Sequence, residues 1–231
     1  MHHGFFYGFD PTYILLLPAL LISFLAQAKV NSAYNKYKSV RILNGYTGSQ
    51  IARMILDSAG LYDVPIEVVN RQLGDHYDPS SRVLRLSPEV YNGNSIASAG
   101  IAAHECGHAI QHAKSYSPLK IRNSIFPVVN FSSNFSWILF IAGLILSIKP
   151  LVYLGILMFS AVVVFQLVTL PVEFDASRRA LKILDAKGIL FGDELKGAKK
   201  VLEAAAMTYV AATIMAVSQL IRLIAISNRN D

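Results

Sequence analysis

A five-residue run near the middle of the chain has the residue types and the spacing of a metal-dependent hydrolase. The run is an H-E-x-x-H pattern, made of His104, Glu105, Cys106, Gly107 and His108. On a helix, residues four apart differ by only about 40° around the axis, so both imidazoles can reach one ion. Glu105 lies about 100° from His104 and can border the same pocket without binding the ion. The pattern therefore predicts a Zn²⁺ site in which His104 and His108 are ligands.

Glu105 is the candidate catalytic residue of this pattern. Zinc lowers the pKa of a bound water to about 7, and a neighbouring carboxylate can take the proton of that zinc-bound water. Cys106 points about 200° away from His104 and is predicted to pack in the core, while Gly107 leaves room for a close neighbour. The alternative interpretation is a buried helix with two core histidines, because a pattern this short also arises by chance.

A hydrolytic zinc site needs a third protein ligand and one open position. Glu173 is the predicted third ligand, because two further apolar segments return the chain to the side of the membrane on which His104 lies. Pro171 is expected to start a helix that presents Glu173 in its first turn. Asp175 is the rival ligand. His112 is two helical turns from His104, so it is expected to line the cleft or pack instead of binding the metal.

The composition indicates a membrane protein. Apolar residues make up 53% of the 231 residues and charged residues 16%, against about 25% charged in soluble domains. We expect a mainly α membrane protein with three to four transmembrane helices and a small α+β zincin-like catalytic domain. The predicted parts are a transmembrane anchor at 11–28, a cytoplasmic zincin-like domain at 29–125, a transmembrane helical hairpin at 126–171, a helix carrying the third ligand at 172–203 and a fourth membrane helix at 204–226.

The last of these spans is the least secure, because Arg222 lies inside it and an arginine in lipid costs at least a few kcal/mol. At the other end, Asp10 and Pro11 are expected to cap and start the first helix. A signal peptide cleaved after Ala28 is the alternative interpretation of that segment. It is disfavoured because residues 1–10 contain no Lys or Arg.

The positive charges predict the orientation and the partners. Four of them follow the first apolar segment, at Lys29, Lys36, Lys38 and Arg41. The positive-inside rule then places the N-terminus outside and the active site on the cytoplasmic side of the plasma membrane. The expected partners are the lipid bilayer and a peptide or membrane-protein substrate. No nucleic acid is expected, because the basic residues form no long stripe with interleaved aromatics, and the oligomeric state stays open.

The remaining elements of the 29–125 region follow from local patterns. An amphipathic helix is predicted from Thr47 to Ala59, strands at 66–69 and 82–87, a turn at 74–81, and a helix from Asn94 or Ser95 past His112. Zincins place an edge strand that pairs with extended substrate just before the H-E-x-x-H helix, and the strand at 82–87 is expected to fill that role. The single cysteine excludes a disulfide framework and a multi-cysteine zinc site.

Three functions are compatible with these residues. The first is peptide hydrolysis, in which Glu105 acts as general base and then as proton donor, and an oxyanion stabiliser is chosen from His76, Tyr77, His112 and Arg178 without preference. The second is a membrane scaffold or partner-binding protein whose metal site is structural or vestigial, closed by His112 or His76. The third is metal-dependent hydrolysis of a bond that is not a peptide bond. Polar residues at the start of the second span favour cleavage in the juxtamembrane zone; they are Asn130, Ser132, Ser133, Asn134 and Ser136.

Four longer strings resemble the YugP-like neutral zinc metallopeptidases, a bacterial family of multi-pass membrane proteins. They are Gly-Asp-His-Tyr-Asp-Pro at 74–79, Leu-Arg-Leu-Ser-Pro-Glu-Val-Tyr at 84–91, Ala-His-Glu-Cys-Gly-His-Ala-Ile-Gln at 103–111 and Pro-Val-Glu-Phe-Asp-Ala-Ser-Arg-Arg at 171–179. The likeness extends over nearly the whole chain and the order of its membrane segments. It implies a zinc-dependent membrane protease and does not identify a substrate.

A more distant resemblance is to HtpX-type membrane proteases and CAAX prenyl endopeptidases. These proteins place H-E-x-x-H before a two-helix hairpin and a ligating glutamate in an E-F-x-A-D motif after it. Carried onto this chain, that glutamate is Glu173. The aspartate of the motif falls on Ser177, and Asp175 and Arg178 are the candidates to replace it. HtpX-type proteins have two spans before the motif, whereas this chain has one.

Overall fold

The computed structural model describes residues 11–71 and 74–229, which form seven α-helices and one three-stranded sheet. A 3₁₀ turn, Pro11–Leu16, comes first, and the expected helix cap at Asp10 lies outside the described residues. The helices are α1 (Leu17–Tyr37), α2 (Gly48–Ser58), α3 (Pro88–Tyr91), α4 (Ile96–Ala113), α5 (Ser117–Ile145), α6 (Lys149–Ala186) and α7 (Gly192–Arg229). The strands are β1 (Ile66–Val68), β2 (His76–Asp78) and β3 (Val83–Leu86).

The chain divides into two compact units. The first, called the apolar unit here, consists of Met1–Leu25, Arg122–Val168 and Tyr209–Asp231. The second, called the mixed unit, consists of Ala26–Ile121 and Thr169–Thr208. The sheet, α2, α3 and α4 belong to the mixed unit. Glu173, within Thr169–Thr208, belongs to it as well, so the mixed unit contains every residue of the predicted site.

Four helical segments among the described residues are long and apolar enough to cross a membrane. They are Pro11–Tyr37, Ser117–Ile145, Lys149–Ala186 and Gly192–Arg229. Large aliphatic side chains of the apolar unit point outward, as at Ile145 and Leu157, which are 76% and 67% exposed. Such a surface suits lipid and not water. The predicted fold class, a mainly α membrane protein, is confirmed, and the last apolar segment provides the fourth candidate span.

Two glycines let α5 and α6 pack closely within the apolar unit. A Cβ atom added to Gly143 would lie 2.6 Å from the backbone nitrogen of Val152, and one added to Gly155 would lie 2.8 Å from that of Phe140. Small residues at the contact allow helix backbones to approach in lipid, where packing replaces the hydrophobic effect as the driving force. The glycines therefore explain how the two segments form a hairpin.

Arg222, the residue that made the fourth span doubtful, has polar partners inside the apolar unit. Its side chain is buried, its Nε donates a hydrogen bond to Oγ1 of Thr12 at 3.0 Å, and its guanidinium lies 3.9 Å from the ring centroid of Tyr13. A hydrogen bond and a cation–π contact both offset the cost of removing the charge from water. Arg222 is thus compatible with a spanning helix.

The sheet of the mixed unit has the order β1-β3-β2, with β1 parallel and β2 antiparallel to β3. The expectation that the strand at 82–87 forms the edge next to the catalytic helix is wrong, because β3 is flanked on both sides. The edge strand that contacts α4 is β2, inside the segment predicted to be a turn. Three residues are too few for a period-two pattern, so the turn formers around β2 dominate its sequence.

Helix α4 begins where the sequence predicts. The hydroxyl of Ser95 accepts a hydrogen bond from the backbone N–H of Ser98, which satisfies one of the free donors at the helix start. Leu84 and Leu86 of β3 and the small residues Ala102 and Ala103 of α4 are fully buried in the core of the mixed unit. This packing holds the helix that carries His104, Glu105 and His108.

The expectation that a new helix starts at Pro171 is wrong. Helix α6 runs without a break from Lys149 to Ala186 and contains Pro171 in its interior. Proline costs about 3 kcal/mol in a helix interior. Val172, Ala176 and Ala180 follow it at helical spacing and are completely buried. Burial of that face offsets the missing hydrogen bond, so one helix continues past Glu173.

Candidate metal centre

Two histidines of α4 and one glutamate of α6 bring their ligand atoms together. Nε2 of His104 and Nε2 of His108 lie 3.3 Å and 3.6 Å from Oε2 of Glu173, and all three ligand atoms fit within 4.8 Å of one another. Zinc bonds of about 2.0–2.1 Å in tetrahedral geometry place neighbouring ligand atoms about 3.3 Å apart. The two distances from the histidines to Glu173 are close to that value, so the three residues can hold one zinc ion. They are the three that the sequence predicted to be ligands.

The contact between α4 and α6 depends on Gly107. A Cβ atom at this position would lie 2.7 Å from the carbonyl oxygen of Ala176 and 3.1 Å from its Cα. The close neighbour predicted for Gly107 is therefore the backbone of α6. Because Glu173 lies one turn before Ala176, this contact also sets the distance between Glu173 and the two histidines.

We expect Gly107→Ala to destabilise the mixed unit by about 1–3 kcal/mol and to weaken zinc binding, because the added methyl group forces α6 away from α4. Gly100→Ala is the matched control on the same helix, since its Cβ would meet the nearest atom at an ordinary 3.5 Å. Thermal unfolding and zinc titration of both variants measure the effect. Equal behaviour of the two variants would contradict the assigned role of Gly107.

Gln111 orients the ring of His108 by contacting Nδ1, the ring nitrogen that does not face Glu173. Nδ1 of His108 lies 3.1 Å from Oε1 of Gln111, whose Nε2 donates to the carbonyl of Val172 at 2.8 Å and to Oδ2 of Asp175 at 2.9 Å. Because the amide nitrogen already faces two acceptors, Oε1 must accept the hydrogen bond from His108. His108 therefore carries its proton on Nδ1, and the lone pair of Nε2 points to the site. Hydrogen bonds of this kind are typical around metal-bound histidines.

Ser177 contacts Nδ1 of His104, as Gln111 contacts Nδ1 of His108. Its Oγ lies 3.1 Å from Nδ1 of His104 and can accept the ring proton. The E-F-x-A-D motif has aspartate at this position, and the sequence left the replacement open between Asp175 and Arg178. In the structure, Ser177 itself contacts the histidine. The carboxylate of Asp175 instead accepts a hydrogen bond from Gln111, the partner of His108.

Asp175, the rival ligand, lies outside the three-residue group. Its buried carboxylate binds Gln111, Arg178 and Arg179. The side chain of Arg178 is 77% exposed and holds this carboxylate. Asp175 therefore contacts Gln111, which in turn contacts Nδ1 of His108, and it does not lie beside the ligand atoms.

Replacing Gln111 tests the outer contacts. We expect Gln111→Met to weaken zinc affinity by about 10–100-fold, the usual cost of losing such a partner. The reason is that Nδ1 of His108 and the buried carboxylate of Asp175 both lose a hydrogen bond. Competition with a fluorescent zinc chelator measures the dissociation constant. Gln27→Met on α1, where the amide of the glutamine donates to the exposed Asn31, is the control; an affinity equal to that of the control would refute the role.

Glu105 lies at the open edge of β2. Its side chain is buried, and its Oε2 accepts a hydrogen bond from the backbone N–H of Tyr77 at 3.1 Å. In an antiparallel pair, the N–H and the C=O of one residue point in the same direction, either both to the partner strand or both away from it. The N–H of Tyr77 faces Glu105, so its carbonyl also faces the open edge and not Leu84, its cross-strand neighbour. The sequence missed this contact because it missed β2.

Two polar contacts position the phenol of Tyr77 and the start of β2. The phenol oxygen lies 2.9 Å from Nδ1 of His112, and burial raises the pKa of Tyr77, so the phenol keeps its proton. His112 lies outside the three-residue group, as expected. Just before β2, the carboxylate of Asp75 accepts hydrogen bonds from the backbone N–H and the hydroxyl of Ser87. His76 is exposed, and its Nδ1 contacts the carbonyl of Gly74 at 2.7 Å.

Cys106 packs in the core, as its position on the helix predicts. Its side chain is completely buried, and the thiol lies 3.6 Å from the carbonyl oxygen of Ala52. Burial raises the pKa of the thiol well above its usual range, which disfavours the thiolate that a metal would bind. The cysteine therefore takes no part in the site.

Among the described residues, four helices that could cross a membrane and a largely buried group of two histidines and one glutamate that could bind a metal define a class, the membrane proteins with a candidate metal site. Comparison with known families places the chain within this class. The family described as "putative neutral zinc metallopeptidase" matches residues 12–228, and the chain belongs to it. The chain is 51% identical over 212 residues to "Putative membrane protease YugP" of Bacillus subtilis (strain 168), covering 92% of this chain and 94% of that protein. No solved structure matches the chain.

These comparisons confirm the family that the four sequence strings indicated. They imply zinc as the metal, which agrees with the donor set of His104, His108 and Glu173. The more distant resemblance to HtpX-type proteases stays a prediction.

Proposed function

We propose that the protein is a membrane-embedded zinc peptidase in which His104, His108 and Glu173 hold the metal and Glu105 is the general base. The observation that carries this proposal is the convergence of the three ligand atoms within 4.8 Å, with Glu105 on the same helix as both histidines. Two histidines, one glutamate and an open position are the arrangement of a catalytic zinc site, whereas a structural site is closed by a fourth ligand.

Zinc bound by these residues would supply a Lewis acid that polarises the scissile carbonyl and makes water a stronger nucleophile. Glu105 accepts the proton of the attacking water, whose oxygen forms the new bond to the carbonyl carbon. The same carboxyl group then gives the proton to the amide nitrogen as the carbon–nitrogen bond breaks. The hydrogen bond from the backbone of Tyr77 holds Glu105 in place for both transfers.

The open edge of β2 favours a peptide as the substrate. The carbonyl of Tyr77 faces this edge beside Glu105, and an extended peptide can add to an open strand through main-chain hydrogen bonds. A peptide aligned in this way passes the general base and the metal ligands on α4. Esters and other small substrates have no repeating N–H and C=O groups to use such an edge.

We place the site at the cytoplasmic face of the plasma membrane, with the N-terminus outside. The basic residues Lys29 and Lys36 lie in the last part of the segment Pro11–Tyr37 and Lys38 follows it, and the end of a span is the usual position of cytoplasmic charge. In the sequence, Glu173 comes only five residues after Val168, the last residue of an apolar segment. We therefore propose cleavage in the juxtamembrane zone, within peptides or membrane proteins that share the bilayer.

Purified protein in lipid nanodiscs tests the proposal. We expect about one zinc ion per chain by elemental analysis, and cleavage of members of a fluorogenic peptide library. A chelator should abolish the cleavage, and added zinc should restore it, because the metal supplies the Lewis acid. Firmly held zinc without chelator-sensitive cleavage of any peptide would instead support a membrane scaffold with a structural metal site.

A further inference from the structure

Tyr77 contacts α4 at two places. Its backbone N–H reaches Oε2 of Glu105 at 3.1 Å, and its phenol oxygen lies 2.9 Å from Nδ1 of His112. These two helix residues are seven apart, so they differ by about 20° around α4 and by about 10 Å along it. His108 lies between them and about 40° to one side of His112. The side chain of Tyr77 therefore runs along α4, from the level of Glu105 to that of His112, one turn beyond His108.

Peptide hydrolysis needs a hydrogen-bond donor for the carbonyl oxygen, which gains negative charge during the attack. Two of the four residues that the sequence offered for this role are engaged elsewhere. His76 is exposed and bonds to the carbonyl of Gly74, and the exposed guanidinium of Arg178 holds Asp175. Tyr77 and His112 remain, and they contact each other.

We propose that the phenol of Tyr77 donates a hydrogen bond to the carbonyl oxygen of the scissile bond as that oxygen becomes an oxyanion. His112 is the positioning residue: its Nδ1–H donates to the phenol oxygen, the guanidinium of Arg82 donates to the same oxygen, and the phenol O–H is left to donate to the substrate. The same strand residue thus holds the general base through its backbone and the oxyanion through its side chain. This inference rests on the proposed peptidase function.

Tyr77→Phe isolates the phenol, because it keeps the ring and the backbone N–H that bonds Glu105. We expect kcat to fall by about 10²–10³-fold, the usual cost of one oxyanion donor, with KM and zinc content unchanged. Tyr91→Phe, a partly buried tyrosine of the same unit, is the control and should behave as wild type. A Tyr77→Phe enzyme with full kcat, or one that loses its zinc, would overturn the inference.

A His112 series tests the positioning role. Asparagine can place an N–H near the position of Nδ1, whereas glutamine places its amide farther out and phenylalanine has no donor. We expect His112→Asn to keep most of the activity and His112→Gln and His112→Phe to lose about tenfold in kcat. In the Tyr77→Phe background, His112→Phe should cost nothing more, because the phenol is already absent. A purely structural role predicts equal losses in both backgrounds, which would overturn the pairing.

A binding measurement separates this inference from the proposed function. A phosphonamidate analogue of a cleaved library peptide mimics the charged transition state. Tyr77→Phe should weaken its binding by the same factor as kcat, while binding of the uncleaved peptide to a Glu105→Gln background stays unchanged. Unaltered binding of the analogue would refute the role of the phenol alone. Absence of chelator-sensitive cleavage in the wild type would refute the peptidase function itself.

Discussion

Glu105→Gln is expected to abolish chelator-sensitive peptide cleavage while the protein keeps about one zinc ion per chain. The amide has the size of the carboxyl group and its oxygen can still accept the hydrogen bond from Tyr77, so the surroundings stay intact. It cannot accept the proton of the attacking water or return a proton to the leaving amine. Loss of a general base typically costs 10²–10⁴-fold, so the fall in kcat should be at least about 100-fold.

Single-turnover kinetics and elemental analysis of the same sample measure the two sides of this prediction. Glu203→Gln is the matched control, since Glu203 is an exposed residue of α7 that pairs with Lys199. A Glu105→Gln protein with wild-type kcat would refute the assigned role of Glu105. The inactive variant also has a use: substrates that remain bound to it in membranes can be captured and identified.

Glu173→Ala is expected to bind zinc far more weakly than the wild type. It removes one of three ligand atoms and leaves two imidazoles, which alone do not complete a catalytic site. Loss of an outer partner already costs about 10–100-fold in affinity, so loss of the direct ligand should exceed about 100-fold. Zinc content after dialysis and competition with a chelator measure the change, and cleavage should be lost in parallel.

Asp175→Asn is the informative partner variant, because it changes the other acidic residue two positions away. Asp175 binds Gln111 and two arginines and lies outside the three-residue group, so its loss should lower zinc affinity only indirectly. We expect this variant to reach about one zinc ion per chain when zinc is in excess. Zinc lost in Asp175→Asn and kept in Glu173→Ala would show that Asp175 is the ligand.

Local sequence was sufficient for the elements whose geometry depends on near neighbours. The start of α4 at Ser95 and the start of α2 at Thr47 were predictable, because a capping side chain and the donors that it satisfies lie within three residues. The apolar segments were predictable because crossing a membrane requires a continuous run of apolar side chains. The common face of His104 and His108 follows from the helix repeat alone.

Other features depend on partners far away in the sequence. The strand β2 exists because β3 pairs with it and Glu105 bonds to its edge, and neither contact leaves a pattern in its three residues. Helix α6 continues through Pro171 because its buried face packs against the core, which overrides the local preference of proline. The contact of Ser177 with His104 joins residues 73 apart and could not be derived from spacing.

The sequence by itself indicated the two histidines, the glutamate proposed to be the general base and a short set of candidates for the third ligand. Only the tertiary structure decided which of those candidates joins the group. Glu173 and Asp175 are two residues apart on one helix and so point about 160° apart around it. The close contact of α6 with Gly107 sets the rotation that turns Glu173 to the histidines and Asp175 to Gln111. Helix rotation depends on packing between distant segments, and no local pattern encodes it.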